Sequence, residues 1–96
     1  MKTKKIAEKE FTVINEMGLH VRPATNLSLI AGEYKDTDVF LIRNGNRVDA
    51  KIPLLILSLA DICGSVFTIK AEGPNAEEVV NRIVEASKRS FDVEGD

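Results

Sequence analysis

The spacing of hydrophobic residues predicts a series of short strands and helices along the chain. Residues 8–15 alternate between polar and apolar side chains, with Phe11 and Val13 on one face, which is typical of a strand. From Val21 to a stop at Gly32, the apolar residues recur mostly at helical spacing, which predicts a helix of about three turns. Its predicted inner face comprises Val21, Ala24, Leu27, Leu29, Ile30 and Ala31, and its solvated side Thr25, Asn26 and Ser28.

The second half of the chain continues this pattern with three extended segments and a terminal helix. The apolar run 39–42 predicts a buried strand, and the dipeptide Asn44-Gly45 after it predicts a hairpin with residues 47–50 as the returning strand. Residues 66–72 alternate cleanly as a further strand. After Gly73-Pro74, Asn75 is the predicted cap of a last helix. Its expected features are Glu77 and Glu78 in the first turn, a buried stripe of Val79, Val80, Ile83, Val84 and Ser87, and Lys88 and Arg89 in the last turn.

A leucine-rich segment, residues 51–60, predicts a short helix that begins at Pro53. Consecutive apolar residues cover the whole circumference of such a helix, so some of Leu54, Leu55 and Leu57 must face solvent or another chain. An exposed apolar cluster indicates a docking surface. The alternative is a long loop that folds over these leucines.

The order strand, helix, strand, strand, short helix, strand, helix predicts an α+β open-faced β-sandwich. In this fold a four-stranded antiparallel sheet is covered on one face by three helices, in a split βαβ arrangement. Ninety-six residues suit a single domain, expected over residues 1–96 with a core at about 8–91 and short charged tails.

Composition excludes several classes of function. Thirteen basic against fifteen acidic residues give a net charge of -2, which argues against nucleic acid as the principal partner. No apolar run approaches the roughly 20 residues of a membrane span, so we expect a cytoplasmic chain without membrane insertion. The single cysteine, Cys63, is expected to be a small buried hydrophobe. The chain contains no metal-ligand cluster, serine-triad motif or Walker loop, so we expect no metal and no cofactor.

The only histidine, His20, stands in the segment Gly18-Leu19-His20-Val21-Arg22-Pro23-Ala24 at the predicted start of the first helix. Unpaired N–H groups at a helix start attract anions and disfavour a charged imidazolium. A phosphoryl group on the ring would meet those donors and the Arg22 guanidinium. The alternative interpretation is an ordinary surface histidine near a helix cap.

This segment resembles the active-site signature of the HPr family, the histidine-containing phosphocarriers of the bacterial sugar phosphotransferase system, and residues 66–73 resemble the last strand and turn of that family. The resemblance covers roughly residues 8–91 and implies the same fold. It also implies that enzyme I transfers a phosphoryl group derived from phosphoenolpyruvate to His20, and that His20 passes this group to a sugar-specific IIA protein. The chain would then be a carrier without turnover of its own. The residue roles it implies are His20 and Arg22 in transfer, Val21 and Arg22 in phosphate binding, and Thr25, Leu54, Leu55 and Leu57 in partner binding.

One position departs from the family pattern. Many HPr proteins carry a regulatory serine at the start of the short helix, where this chain has Ile52, so regulation by HPr kinase at that position is not expected. The chain could then belong to a lineage without the kinase, or serve a regulatory or nitrogen-type phosphotransferase chain instead of sugar uptake. The competing hypothesis is an HPr-like regulatory or protein-interaction module without phosphoryl transfer. With either function, we expect the chain to be a monomer.

Overall fold

The computed structural model describes residues 5–14, 19–59 and 65–91. Predictions for Gly18, for Cys63 and for the last five residues lie outside these ranges. The elements follow the predicted order. They are β1 (Ile6–Thr12), α1 (Val21–Gly32), β2 (Asp38–Arg43), β3 (Asn46–Asp49), α2 (Pro53–Ser58), β4 (Val66–Glu72) and α3 (Ala76–Ser87).

The strands form one antiparallel sheet with the order β1-β4-β2-β3. Strand β4 lies between β1 and β2, which confirms the split arrangement. The alternation predicted for β4 is also confirmed, because Phe67, Ile69 and Ala71 are buried while the intervening residues are half-buried or exposed. The ring of Phe11 stacks on Phe67 and meets Phe91 edge-on, with both centroid distances 5.8 Å. The core therefore lies between the helices and one face of the sheet.

The hairpin between β2 and β3 is confirmed. Asn44 and Gly45 have φ angles of 51° and 82°, and a type I′ turn requires positive φ at both of its central residues. The prediction that the run 39–42 is buried holds for one face only, since Val39 and Leu41 are buried and Phe40 is half-buried on the open face of the sheet. There the guanidinium of Arg47 lies 4.4 Å from the centroid of the Phe40 ring.

The predicted inner face of α1 is partly wrong. Val21 and Leu29 are 66% and 62% exposed, whereas Ser28 is buried. Leu29 lies about 140° around the helix axis from the buried Ala24, so it falls outside the buried stripe. Burial of Ser28 is tolerated because its hydroxyl donates to the carbonyl of Thr25 at 2.8 Å.

Two details of α3 also differ from the prediction. Asn75 occupies the N-cap position, but its side chain makes no capping hydrogen bond. Its backbone N–H instead donates to the hydroxyl of the buried Thr37 at 3.1 Å, which ties the helix start to the turn before β2. The helix ends at Ser87, so Lys88 is the C-cap and Arg89 lies beyond the last turn. The buried stripe is confirmed except for Val84, which is half-buried.

Candidate functional site

His20 is the N-cap residue of α1. Its backbone is extended, with φ -88° and ψ -167°, and its carbonyl accepts the first hydrogen bond of the helix, from the N–H of Ala24 at 3.0 Å. The imidazole makes no capping hydrogen bond, and the residue is exposed. Leu19, directly before it, is fully buried and anchors this point of the chain in the core. The histidine is therefore held by its backbone while its side chain faces solvent.

The first turn of α1 presents donors to the same region. The N–H groups of Val21 and Arg22 have no acceptor within the helix, and Pro23 has no N–H. No acidic residue lies in this turn to neutralise the positive end of the helix dipole. Arg22 is exposed and adds a cation two residues after His20. The helix end thus has the composition of an anion-binding site beside an accessible imidazole.

Helix α2 begins at Pro53, as predicted, and its leucines have different environments. Ile56 is fully buried and attaches the helix to the core, while Leu54 is 74% exposed. Leu55 and Leu57 are half-buried, and Leu57 packs against the edge of the core. At least Leu54 therefore faces solvent, as the unbroken apolar run requires. Ile52 is the N-cap residue of this helix and offers no side-chain oxygen there.

A groove of about 440 Å³ separates α1 from the start of α2. It brings Thr25, one of the predicted partner-binding residues, to the same depression as Pro53. Its lining also includes residues not predicted for the site, among them Leu29 and Lys51. Leu29 could have been found as the residue one turn after Thr25, had the inner face of α1 been assigned correctly.

Hydrogen bonds hold α1 to the C-terminal part of the chain. Near the start of the helix, the side-chain amide of Asn26 donates to the backbone carbonyl of Phe91 at 2.7 Å. Asn26 was predicted to be solvated, so this contact corrects that expectation. Phe91 is buried in the core, and the bond therefore fixes the second turn of α1 relative to the residues after α3.

A second contact, at the end of α1, involves four side chains, and in it the hydroxyl of Tyr34 donates to a carboxylate oxygen of Glu78 at 2.8 Å. Arg82 of α3 donates to both carboxylate oxygens of Glu33, at 2.8 and 3.3 Å, and to the hydroxyl of Tyr34 at 2.9 Å. The Arg82 guanidinium lowers the pKa of the Glu33 carboxyl, and burial raises the pKa of Tyr34. Sequence periodicity could not predict this cluster, because 48 residues separate Tyr34 from Arg82.

Comparison with known families identifies the class to which this fold and site belong. The family described as "PTS HPr component phosphorylation site" matches residues 7–89. The chain belongs to the HPr family of phosphotransferase-system phosphocarriers, which confirms the resemblance seen in the sequence.

Individual relatives agree with this assignment. The phosphocarrier protein HPr of Vibrio cholerae is 38% identical over 77 residues, which are 80% of this chain and 89% of the relative. HPr of Cupriavidus necator is 34% identical over 77 residues, 80% of this chain and 85% of the relative. The phosphocarrier protein NPr of Shewanella violacea is 28% identical over 85 residues, 88% of this chain and 92% of the relative.

Solved structures show the same fold. HPr of Thermoanaerobacter tengcongensis superposes with a TM-score of 0.84 at 28% identity, over 92% of this chain and 98% of the other. HPr of Bacillus anthracis gives a TM-score of 0.77 at 34% identity, over 83% and 94% of the two chains. No helix among the described residues is long and apolar enough to cross a bilayer.

Proposed function

We propose that this chain is a cytoplasmic phosphocarrier that accepts a phosphoryl group on His20 from enzyme I and passes it to a IIA protein. The observation that carries the proposal is the exposed His20 at the N-cap of a helix whose first turn lacks acidic residues. Family membership supports a phosphocarrier role. The phosphoryl donor, the phosphoryl acceptor and the phosphorylated residue are the parts of this proposal that we infer.

The proposed chemistry uses few groups. A ring nitrogen of His20 attacks the phosphorus atom, and the new N–P bond forms as the bond from phosphorus to the donor breaks. The phosphoryl oxygens then accept hydrogen bonds from the N–H groups of Val21 and Arg22 and from the guanidinium. The helix end contributes about 0.3–1 kcal/mol. A hydrogen bond to a charged group contributes about 1.5–3 kcal/mol, so Arg22 has the larger share.

The proposed site includes no general base and no metal that would activate water against the phosphohistidine. This suits a carrier, which must hold the group until an acceptor arrives. In the return step the acceptor's nucleophile attacks the same phosphorus atom, and the electron pair of the N–P bond returns to the imidazole. The chain ends the cycle in its starting form, and because it only passes the group between two other proteins, it converts no small-molecule substrate by itself.

The partner surface that we propose comprises Thr25, Leu54, Leu55 and Leu57. The groove between the two helices supports it, since Thr25 and Pro53 border the same depression. The proposed contacts are small and transient, because one surface must serve donor and acceptor in turn. We further propose that α2 is not regulated by phosphorylation at its start, where Ile52 has no hydroxyl.

The function can be tested with phosphoenolpyruvate and purified enzyme I. Intact-mass measurement of the wild type should show one added phosphoryl group that is labile in acid, and the His20→Ala variant should show none. A Leu55→Ser variant should bind enzyme I more weakly. If Leu55→Ser lowers stability instead and leaves binding unchanged, Leu55 belongs to the core.

The competing function is an interaction module that carries no phosphoryl group. That hypothesis predicts that the wild type takes no phosphate and that His20→Ala binds the same partners as the wild type. The mass experiment and a pull-down with both variants therefore separate the two functions.

A further inference from the structure

The start of α1 is not held by a capping side chain, since the imidazole of His20 makes no capping hydrogen bond among the described residues. The proposed transfer nevertheless requires the N–H groups of Val21 and Arg22 to face the phosphoryl oxygens, because hydrogen bonds weaken steeply when they are misaligned. Burial of Ala24 and Leu27 attaches the helix to the core, but apolar contacts are non-directional. A directional contact near the helix start would therefore determine where these donors point.

The hydrogen bond between Asn26 and Phe91 is a contact of this kind. The side-chain amide of Asn26 donates to the backbone carbonyl of Phe91 at 2.7 Å, in a partly buried position, across 65 residues of sequence. Asn26 follows Arg22 by four residues, and residues at this spacing are neighbours on one side of a helix. The bond therefore acts one helical turn from the donors of the proposed site.

The acceptor of this bond belongs to a strained turn. Ser90 and Phe91 have φ angles of 58° and 57°, a conformation that residues with a bulky side chain rarely adopt. The turn is tied back to α3, because the N–H of Phe91 donates to the carbonyl of Ala86 at 2.8 Å. Phe91 is also buried, and its ring meets Phe11 edge-on. Strain of this kind persists only where the surrounding structure enforces it, so the core fixes the carbonyl that Asn26 binds.

A second side-chain hydrogen bond of α1 stays within the helix. The hydroxyl of Ser28 donates to the carbonyl of Thr25 at 2.8 Å, also in a partly buried position. Both bonds run from a side chain to a backbone carbonyl, but only the bond of Asn26 joins α1 to another segment. Loss of the Ser28 bond should therefore leave the helix in its place, which makes Ser28 a matched control for Asn26.

We propose that Asn26 is a positioning residue for phosphoryl transfer at His20. Its bond to the Phe91 carbonyl holds the first two turns of α1, and with them the N–H groups of Val21 and Arg22, in the orientation that the phosphoryl oxygens require. The inference rests on the proposed function, because it concerns the same site. Asn26 touches no reacting atom and acts through the backbone of the helix. A displacement of about 1 Å at a reacting site can lower a rate by about 100-fold.

Two phosphoryl donors separate positioning from docking. The first is the phosphorylated cognate enzyme I, used in single-turnover rapid-quench experiments that give a limiting rate and a half-saturating concentration. The second is phosphoramidate, a small donor that needs no docking surface. With phosphoramidate, a ring nitrogen of His20 attacks the phosphorus atom and forms the new N–P bond. Ammonia leaves with the electron pair of the P–N bond that breaks.

Two variants remove the hydrogen bond. Asn26→Leu keeps nearly the shape of the side chain but has no donor, and Asn26→Ala removes both. We expect each variant to lower the limiting rate with enzyme I and the rate with phosphoramidate by about fivefold or more, with an unchanged half-saturating concentration. The control Ser28→Ala should keep both rates within about twofold of the wild type. All rates are measured well below the denaturation midpoint of each variant, with a native circular dichroism spectrum.

The results also separate this inference from the proposed function. Slowing with only one of the two donors, or in Asn26→Ala but not in Asn26→Leu, contradicts a positioning role for the hydrogen bond. A raised half-saturating concentration with an unchanged limiting rate contradicts it as well, because Asn26 then contributes to docking. If the wild type is phosphorylated on His20 while both Asn26 variants match Ser28→Ala, the inference is wrong and the carrier function stands. If phosphorylated enzyme I transfers no phosphoryl group to the wild type, the proposed function is wrong and the inference falls with it.

Discussion

Helix α2 offers a sharp test of how its side chains divide between core and surface. Ile56 is fully buried and Leu54 is 74% exposed, although both residues belong to the same six-residue helix. An Ile56→Ala substitution removes three buried carbon groups, which at about 0.8 kcal/mol each amounts to about 2.4 kcal/mol. The cavity left behind adds to this value, so we expect a loss of about 2.5–4 kcal/mol in the free energy of unfolding.

The same substitution at Leu54 should behave differently. Because most of that side chain is in contact with water already, Leu54→Ala should change the free energy of unfolding by less than about 0.5 kcal/mol. A small domain has a total stability of about 5–15 kcal/mol, so the expected difference between the two variants is easily measured.

Urea denaturation followed by circular dichroism is a suitable assay. Ile56→Ala should lower the midpoint with an unchanged slope, and Leu54→Ala should leave both unchanged. Phosphorylation by enzyme I should show the opposite order, with a raised KM for Leu54→Ala and, under conditions where it is folded, little change for Ile56→Ala. Equal losses of stability in the two variants, or a loss below about 1 kcal/mol for Ile56→Ala, would refute the reasoning from burial.

Three further predictions concern other parts of the molecule. Arg22→Ala should slow phosphorylation of His20 about tenfold or more, because one charged hydrogen bond to the phosphoryl group is lost. The denaturation midpoint should not change; stopped-flow transfer measures the rate and urea melts measure the midpoint. Gly73→Ala should lower the free energy of unfolding by more than about 1 kcal/mol, because φ is +145° and a Cβ there would lie 2.7 Å from backbone atoms. Gly32→Ala, where a Cβ would have no atom within 4 Å, should be neutral or stabilising in the same urea melts. Glu33, whose pKa is lowered, should contribute stability that is lost as pH falls below 4.5, and Tyr34, whose pKa is raised, should contribute stability that is lost as pH rises above 10.0. In urea melts across pH, the midpoint of Glu33→Gln should lack the loss in acid, and the midpoint of Tyr34→Phe should lack the loss in alkali.

Features that depend on local chemistry were predictable from the sequence. The hairpin at Asn44-Gly45 follows from the two positive φ angles that its turn requires, and the start of α2 follows from Pro53. The position of His20 before a helix was also predictable, because Pro23 marks the first turn. In each case the residue itself restricts the backbone, whatever the rest of the chain does.

Features that depend on packing between distant segments were not predictable. Val21 and Leu29 were assigned to the core because they are apolar, but the rotation of α1 about its axis is set by the elements against which it packs. The Asn75 side chain makes no cap at the start of α3, and the backbone N–H of Asn75 instead donates to the hydroxyl of Thr37, across 38 residues of sequence. The groove beside Thr25 likewise exists only once two helices have been placed side by side.

The pairing of β1 with β4 has a consequence for synthesis of the protein. The partner of Thr12 is Val66, more than about 50 residues later in the chain. At roughly 5–20 residues per second, a ribosome takes several seconds to make that intervening stretch. Throughout that interval the first strand lacks its partner strand, so the nascent chain cannot close its sheet until β4 has been synthesised.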